Sequence, residues 1–284
     1  MNYTIISPVK NEGKFIKNTL DSIVNQTVKP KEWIIVDDGS TDDTLEILKK
    51  YASKYNWIDI IENKTHSEER AGGSKVVRAF YKGYDSIQEH NYDFIVKLDG
   101  DLKLPDNYFA TVIDNFKKDS KIGLCGGYIL NKIGEDLVQE GPIDYHVRGA
   151  FKSVRKECFE EIGGFSHVWN WDGLDEMEAM RLGWKTLVFD LPVIHYRPTS
   201  GAYDYRKQNF KHGIEAYKAR DSFILTIIRM LAKSANKPHL SGFYFFKGYL
   251  TGFFKNEPRV ISKELSTYTN KFHLNRIIKK VFSR

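Results

Sequence analysis

Apolar and polar positions in the first hundred residues alternate between two periods. YTIISPV, Tyr3 to Val9, is a short β-branched run that predicts a buried strand. In EGKFIKNTLDSIVNQT, Phe15, Ile16, Leu20, Ile23 and Val24 recur at helical spacing. EWIIVDDGS predicts a second strand ending in acids and a glycine-containing turn. TDDTLEILKKYASKY then opens a helix, with Thr41 as N-cap and acids in the first turn. WIDIIENK, KVVRAFYKGYDSI and YDFIVKLDGD continue as strand, helix and strand. Strands and helices joined by short links predict an α/β fold with a mostly parallel sheet. In such sheets ligands bind beyond the carboxyl ends of the strands. Those ends are here Pro8-Val9-Lys10-Asn11, Asp37-Asp38 and Asp99-Gly100-Asp101, so polar residues converge on one edge.

After Pro105 the pattern is mixed. YFATVIDNFKKD predicts a helix, IGLCGGYIL a strand, and KECFEEIGGF a helix closed by glycines. GLDEMEAMRLGW predicts a short acidic helix, preceded by Asp172, Asp175 and Glu176. KTLVFDLPVIHYRP contains a strand running to His195. A helix is expected from Ala202 to about Ser234, and GFYFFKGYLTGFFK is a second apolar, aromatic piece. The division this implies is a catalytic-type domain over 1–202 and a helical, basic and aromatic region over 203–284.

Composition narrows the class rather than the chemistry. With 284 residues, 41% hydrophobic and 28% charged, the chain is ordinary for a soluble globular protein. Cys125 and Cys158 make no framework or CxxC pair and are expected to be reduced thiols of a cytosolic protein. No signal peptide is read at the N-terminus, and no apolar stretch reaches the ~18–20 residues of a membrane span. The net charge of +6 is unevenly placed. From Tyr205 onward Lys and Arg outnumber acids heavily, which suits an anionic partner such as lipid headgroups, a phosphorylated substrate or nucleic acid.

Four clusters could carry chemistry. The acids of VDDGSTDDT, at a strand end, can accept hydrogen bonds from a base or from ribose hydroxyls, or simply cap a turn. Asp99 and Asp101, two residues apart on a turn, can both reach one hard divalent cation, and Mg²⁺ or Mn²⁺ commonly bridges such carboxylates to substrate phosphates. The acids of WNWDGLDEMEAMRLGW could hold a base ionised at a helix start, or cap that helix. Trp169 and Trp171 beside them could pack or stack on a sugar. In VIHYRPTSG, His195 ends an apolar strand, with Arg197 on the same side by strand periodicity, and could be a third metal ligand.

In this order the clusters resemble the inverting, nucleotide-sugar-dependent glycosyltransferases of family 2, which have the GT-A fold. The matching stretches are SPVKNEGKFIKNTLDSIVNQT, WIIVDDGSTDDT, VKLDGDLKLP, Gly163 to Phe165, and the acidic helix start at Asp175-Glu176, together covering roughly residues 1–200. The resemblance implies nucleotide binding by Pro8, Asn11, Glu12, Asp37, Asp38, Lys75 and Asp99. It implies a divalent metal, Mg²⁺ or Mn²⁺, held by Asp99, Asp101 and His195. It implies a catalytic base at Asp175, with Arg181 six residues on and with Asp172 and Glu176 as neighbouring acids. The chain departs from the family's Glu-Asp pair at Leu174, which leaves the base open by one position. It further implies a nucleotide-binding half to about 105 and an acceptor half over 106–202, with Arg148, Trp171 and Arg197 as the acceptor- or phosphate-side candidates.

The implied reaction is single-displacement transfer of a hexosyl-type sugar from a nucleotide-diphosphate-sugar donor to an acceptor hydroxyl, with inversion. The acceptor would be a glycan or a lipid-linked molecule in cell-envelope polysaccharide or glycolipid synthesis. The expected setting is cytoplasmic, peripheral at the inner face of the membrane through the C-terminal region, with no nucleic-acid partner. Two rivals are weighed: a non-catalytic nucleotide- or carbohydrate-binding GT-A module, and a haloacid-dehalogenase-like phosphatase. The second leaves VDDGSTDDT unexplained, and its nucleophile turn belongs near a domain start and continues Gly-Thr, whereas Asp101 is followed by Leu-Lys.

Overall fold

The computed structural model describes residues 1–63, 74–141, 143–168, 170–197, 204–235 and 237–282. They fall into two compact units, Met1–Pro198 and Thr199–Arg284. The boundary expected at 202 lies outside the described residues, as does Trp169.

The first unit is built on a nine-stranded sheet. Its opening strands are β1 (Tyr3–Val9), β2 (Glu32–Asp37), β3 (Ile58–Glu62) and β4 (Phe94–Leu98), followed by β5 (Leu102–Lys103), β6 (Ile122–Ile133), β7 (Asp136–Gln139), β8 (Phe151–Arg155) and β9 (Lys185–His195). Their order is β3-β2-β1-β4-β8-β6-β9-β5, with β7 beside β6. β3, β2, β1 and β4 run parallel. β8 enters antiparallel between β4 and β6, and β6 pairs β9 in parallel. The helices are α1 (Ile16–Val24), α2 (Thr44–Ala52), α3 (Ser74–Tyr84), α4 (Tyr108–Lys118), α5 (Lys156–Glu161) and α6 (Trp171–Arg181).

Period-2 alternation assigns the strand residues to two cores. Ile5, Ile35 and Val96 point to one face, where they meet Ile16 and Leu20 of α1 and Phe109 of α4. Their neighbours Ile6, Ile34 and Ile95 point to the other face, against Val77 and Phe80 of α3 and Ala179 of α6. Burial on both faces is why these strands read as near-continuous apolar runs. Cys125 and Cys158 are free thiols, buried in different cores.

Several local expectations change. Thr41 does not cap α2, which begins at Thr44 after Asp43. Its N–H is taken instead by Asn11 Oδ1 at 2.7 Å, and Asp42 accepts from the N–H of Thr44 at 3.1 Å. Asp172, Asp175 and Glu176 do not precede the acidic helix but lie within α6, which starts at Trp171. β5 and β7 have two and four residues, and β8 carries Lys152 and Arg155 among its five, so all three hold too little apolar pattern to be read as strands beforehand.

The second unit holds α7 (Tyr205–Lys218), α8 (Phe223–Ala235), α9 (Ser241–Phe254) and α10 (Lys263–Phe282). The single helix expected over 202–234 is therefore two. Arg220 adopts φ 56°, and Asp221 N–H bonds back to the Ala216 carbonyl at 3.0 Å, which closes α7 in a left-handed cap. Ser222 Oγ then accepts from the N–H of Leu225 at 3.2 Å and starts α8. Ala216, Tyr217, Phe245 and Tyr249 form this unit's small core.

Candidate active site

The loop after β1 and the turn after β2 are clasped together at the carboxyl edge of the sheet. Asp38 N–H donates to the Val9 carbonyl at 2.9 Å. Asn11 takes φ 52°, a region where Asn is among the few tolerated side chains, and its N–H donates to Ser40 Oγ at 2.9 Å. Glu12 is buried and ion-paired to Arg197, whose Nη2 also donates to the Asn11 carbonyl at 3.2 Å. Asp37 accepts from the N–H of Ser40 at 3.2 Å, and Asp38 accepts from Asn63 Nδ2 at 2.5 Å. Pro8 precedes this clasp inside β1, opposite Val36. Pro8, Asn11, Glu12, Asp37 and Asp38 thus sit on one edge. Lys75 is half-buried in the first turn of α3.

The Asp-Gly-Asp turn follows β4 on the same edge. A Cβ on Gly100 would stand 3.0 Å from Val9 and from Ile16, so the turn lies tightly against the β1–α1 loop. The two carboxylates face different partners. Asp99 is ion-paired with Lys97 and keeps 32% of its side chain exposed; burial of its surroundings raises its pKa, Lys97 opposes this, and Asp101 adds to it. Asp101 is buried, with Oδ1 3.4 Å from His195 Nε2 and Oδ2 3.8 Å from Arg197 Nε. The ladder pairing Leu102 of β5 with His195 of β9 holds this contact. Burial pulls the His195 pKa down, but the bond to Asp101 and the charges of Asp101, Asp99 and Glu140 outweigh it and raise it.

Among the described residues no three His, Cys, Asp or Glu side chains are gathered as a metal site. Asp99, Asp101 and His195 are therefore not a preassembled triad, because Asp99 turns to Lys97. The Asp101–His195 pair nevertheless fits a small divalent ion. It offers one carboxylate and one imidazole 3.4 Å apart, the His195 Nδ1 is buried without a partner, and Mg²⁺ or Mn²⁺ ordinarily takes its remaining ligands from water and phosphate.

The third cluster is closed rather than open. Lys152 of β8 is fully buried, and its Nζ donates to the Asp172 carbonyl at 2.5 Å and to Asp175 Oδ1 at 2.9 Å. It also lies 3.2 Å from Glu176 Oε1, while His146 Nδ1 meets Glu176 Oε2 at 2.8 Å. Burial is the main cause that pushes the Asp175 pKa up to about 8, Lys152 opposing it and Glu176 adding to it. Lys152 itself is shifted upward, since its carboxylates outweigh its own burial. Asp175 Oδ2 has no hydrogen-bond partner, and Asp172 is half-buried where Asp175 and Glu176 are buried. Arg181 pairs with Glu178 at 2.7 Å.

The remaining candidates are placed as follows. Trp171 is buried, packed on Phe165 at 4.7 Å between centroids, with Lys97 and Lys152 at 5.7 and 5.5 Å from its ring, so it is not an open stacking platform. Arg148 is held by Glu140, at 3.2 Å to its carboxylate and 2.9 Å to its carbonyl. Lys152, His146 and Lys97 were not singled out in advance. A lysine in FKSVR looks like surface until β8 is known to be an interior strand.

A family model described as "Glycosyl transferase family 2" matches residues 4–169. The chain belongs to glycosyltransferase family 2. A poly-β-1,6-N-acetyl-D-glucosamine synthase of Staphylococcus epidermidis is 24% identical over 210 residues, 66% of this chain and 46% of the relative. A cholesterol galactosyltransferase of Borreliella burgdorferi is 29% identical over 177 residues, 60% of this chain and 46% of the relative. The chain thus spans about half the length of these curated relatives. Among solved structures, a Pyrobaculum calidifontis mannosyltransferase, PcManGT, in complex with GDP-Man and Mn²⁺ superposes with a TM-score of 0.59 at 16% identity, covering 90% of this chain and 88% of that one. S. aureus TarS 1-349 with UDP-GlcNAc gives 0.56 at 18%, covering 88% and 73%. The family 2 chain therefore has the GT-A fold, with a mostly parallel curled sheet followed by C-terminal helices.

Proposed function

We propose that this family 2 chain transfers a sugar from a nucleotide-diphosphate-sugar donor to an acceptor hydroxyl, with inversion. The observation that carries the reading is the convergence of the β1, β2 and β4 ends, where Asp38, Asp99 and the Asp101–His195 pair share one edge. The likeness to structures holding GDP-Man with Mn²⁺ and UDP-GlcNAc supports a nucleotide sugar as donor.

Asn11 and Asp38 bind the nucleoside, the acid accepting hydrogen bonds as it does now from Asn63. Asp101 and His195 hold the divalent ion, which when bound offsets charge on the diphosphate. Arg197, fixed by Glu12 and Asp101, adds a second positive charge on that side. Asp175 accepts the acceptor's proton at its unpartnered Oδ2 when the closed cluster opens to the acceptor, while Lys152 fixes Oδ1. Its raised pKa suits a base working near neutrality. The greater exposure of Asp172 favours a second reading, in which Asp172 takes the proton and Asp175 positions the helix.

The acceptor is a glycan or lipid-linked molecule, as the relatives named for poly-β-1,6-N-acetyl-D-glucosamine and cholesterol products suggest. The chain acts in the cytoplasm at the inner membrane face. The deciding experiment follows nucleotide release and anomeric configuration from a panel of UDP- and GDP-sugars with Mn²⁺. Release of an inverted product, lost in both Asp101→Ala and Asp175→Asn, supports the transfer. Unchanged turnover in both variants defeats it.

A further inference from the structure

The second unit contains a helix whose exposed side is mostly aromatic. Amphipathic helices of soluble proteins keep one side polar, and a helix that is apolar all round is buried or meets lipid. α9, SGFYFFKGYLTGFF, carries one charged residue in fourteen. One of its sides is used by its neighbours. A Cβ on Gly248 would collide with the Phe210 carbonyl of α7, one on Gly213 of α7 with the Phe245 carbonyl, and one on Gly242 with the Met230 carbonyl of α8. Backbones this close are allowed only by glycine. The other side is not covered: Phe243 is 58%, Phe253 57% and Phe254 80% exposed. The outward side of α8 is similar, with Phe223, Ile224 and Leu231 all exposed by more than half. The Phe223 and Phe246 rings lie 6.1 Å apart, so the two outward faces join.

Charge identifies what fits that face. From Ser222 to Asn256 the chain has five Lys or Arg and no Asp or Glu. The whole unit has 17 Lys or Arg against five Asp or Glu. Lys247 and Lys255 are exposed beside the outward aromatics of α9. Aromatic and aliphatic side chains interleaved with lysine, with no acid among them, match an anionic lipid surface: rings enter the acyl boundary and ammonium groups meet phosphates. No helix among the described residues is long and apolar enough to cross a membrane. Fourteen helical residues reach roughly 21 Å against about 30 Å of hydrocarbon.

We infer that the joined outward faces of α8 and α9 form an in-plane docking surface for an anionic phospholipid bilayer. The surface rests on these helices alone; only its link to a lipid-linked acceptor rests on the transferase reading.

The test is sedimentation of the 284-residue chain with vesicles of phosphatidylcholine alone or mixed with phosphatidylglycerol. The chain is expected to pellet with the mixed vesicles and to release partly at high salt. Phe253→Ser combined with Phe254→Ser should weaken binding by about tenfold per ring. Lys247→Glu with Lys255→Glu should weaken it by roughly fivefold per site and remove the preference for phosphatidylglycerol. Equal recovery in the supernatant with and without mixed vesicles overturns the inference. So does a concentration-dependent dimer of the wild type, dispersed by the serine pair, with no vesicle binding, since the face would then be covered by a second copy. If the serine pair fails to fold, the lysine pair and the salt titration of the wild type decide. Nucleotide-sugar binding on the same samples separates the two proposals. Vesicle binding without donor binding breaks the transferase reading alone, and donor binding without vesicle binding breaks this one alone.

Discussion

Two carboxylate clusters of the first unit use the same device with opposite outcomes. Lys97 and Lys152 are buried partners directly across the β4–β8 ladder, both near the Trp171 ring. Like charges so placed repel, and each is relieved by acids: Asp99 for Lys97, Asp175 and Glu176 for Lys152. On the β4 side the acids remain at the sheet edge, with Asp99 a third exposed. On the α6 side Asp175 and Glu176 are enclosed. The same pairing therefore leaves Asp99 partly open to solution beside the buried Asp101, and turns the other cluster into a wholly buried network, whose balance sets the charge state of its acids.

Removing the acid of the β4-side cluster that faces His195 should have the largest effect. On the proposed reading Asp101→Ala is expected to lower sugar transfer by about 10³-fold or more, because the ion that would offset charge on the diphosphate loses its carboxylate ligand. Steady-state turnover with added Mn²⁺ measures it, and a small loss would place the clamp elsewhere. Asp175→Asn should cost on the order of 10²–10⁴-fold in kcat. If Asp172→Asn carries that loss instead, the proton goes to the half-buried acid and the enclosed one is structural.

Lys152→Met attacks the difference itself. Removing one partner of a buried ion pair destabilises by roughly 3–5 kcal/mol, readable by denaturant unfolding. The sign with pH is fixed by the cause. Burial raises Asp175 from 3.8 to about 8, so the folded state holds a proton that the unfolded state has lost. The contribution of Asp175, taken as wild type minus Asp175→Asn, should thus fall as pH rises from about 4 to about 8. Transfer should rise over the upper part of that range as the base ionises. Lys152 lowers the pKa of Asp175, so Lys152→Met should move this activity limb to higher pH. An unmoved limb would detach Lys152 from the base.

The smallest effect should come from the clasp. Asn11→Val places a β-branched residue at positive φ and should cost about 1–2 kcal/mol, whereas Asn11→Gly should cost less. Equal melting temperatures for the two variants would show that the strain is relieved locally.

The open side was legible in advance because its signals are local. Strand periodicity, the VDDGSTDDT turn and the Asp-Gly-Asp pair each lie within a few residues, and parallel topology brings their ends together. The enclosed side was not, since it depends on β8 entering antiparallel between β4 and β6. Nothing within FKSVR indicates that its lysine meets a helix twenty residues on. For the same reason the sequence left Trp171 open between packing and stacking on a sugar, and the helix start it belongs to turns it inward against Phe165. In the second unit the split at Arg220 escaped because a left-handed cap without glycine leaves no mark in the pattern.

The most direct test of the central claim is calorimetric titration of UDP- and GDP-sugars into the wild type, Asp101→Asn and Asp175→Asn, with Mn²⁺ and with chelator. The account predicts metal-dependent donor binding in the wild type and in Asp175→Asn, and its loss in Asp101→Asn. Donor binding that is indifferent to Mn²⁺, or that survives in Asp101→Asn unchanged, would contradict it.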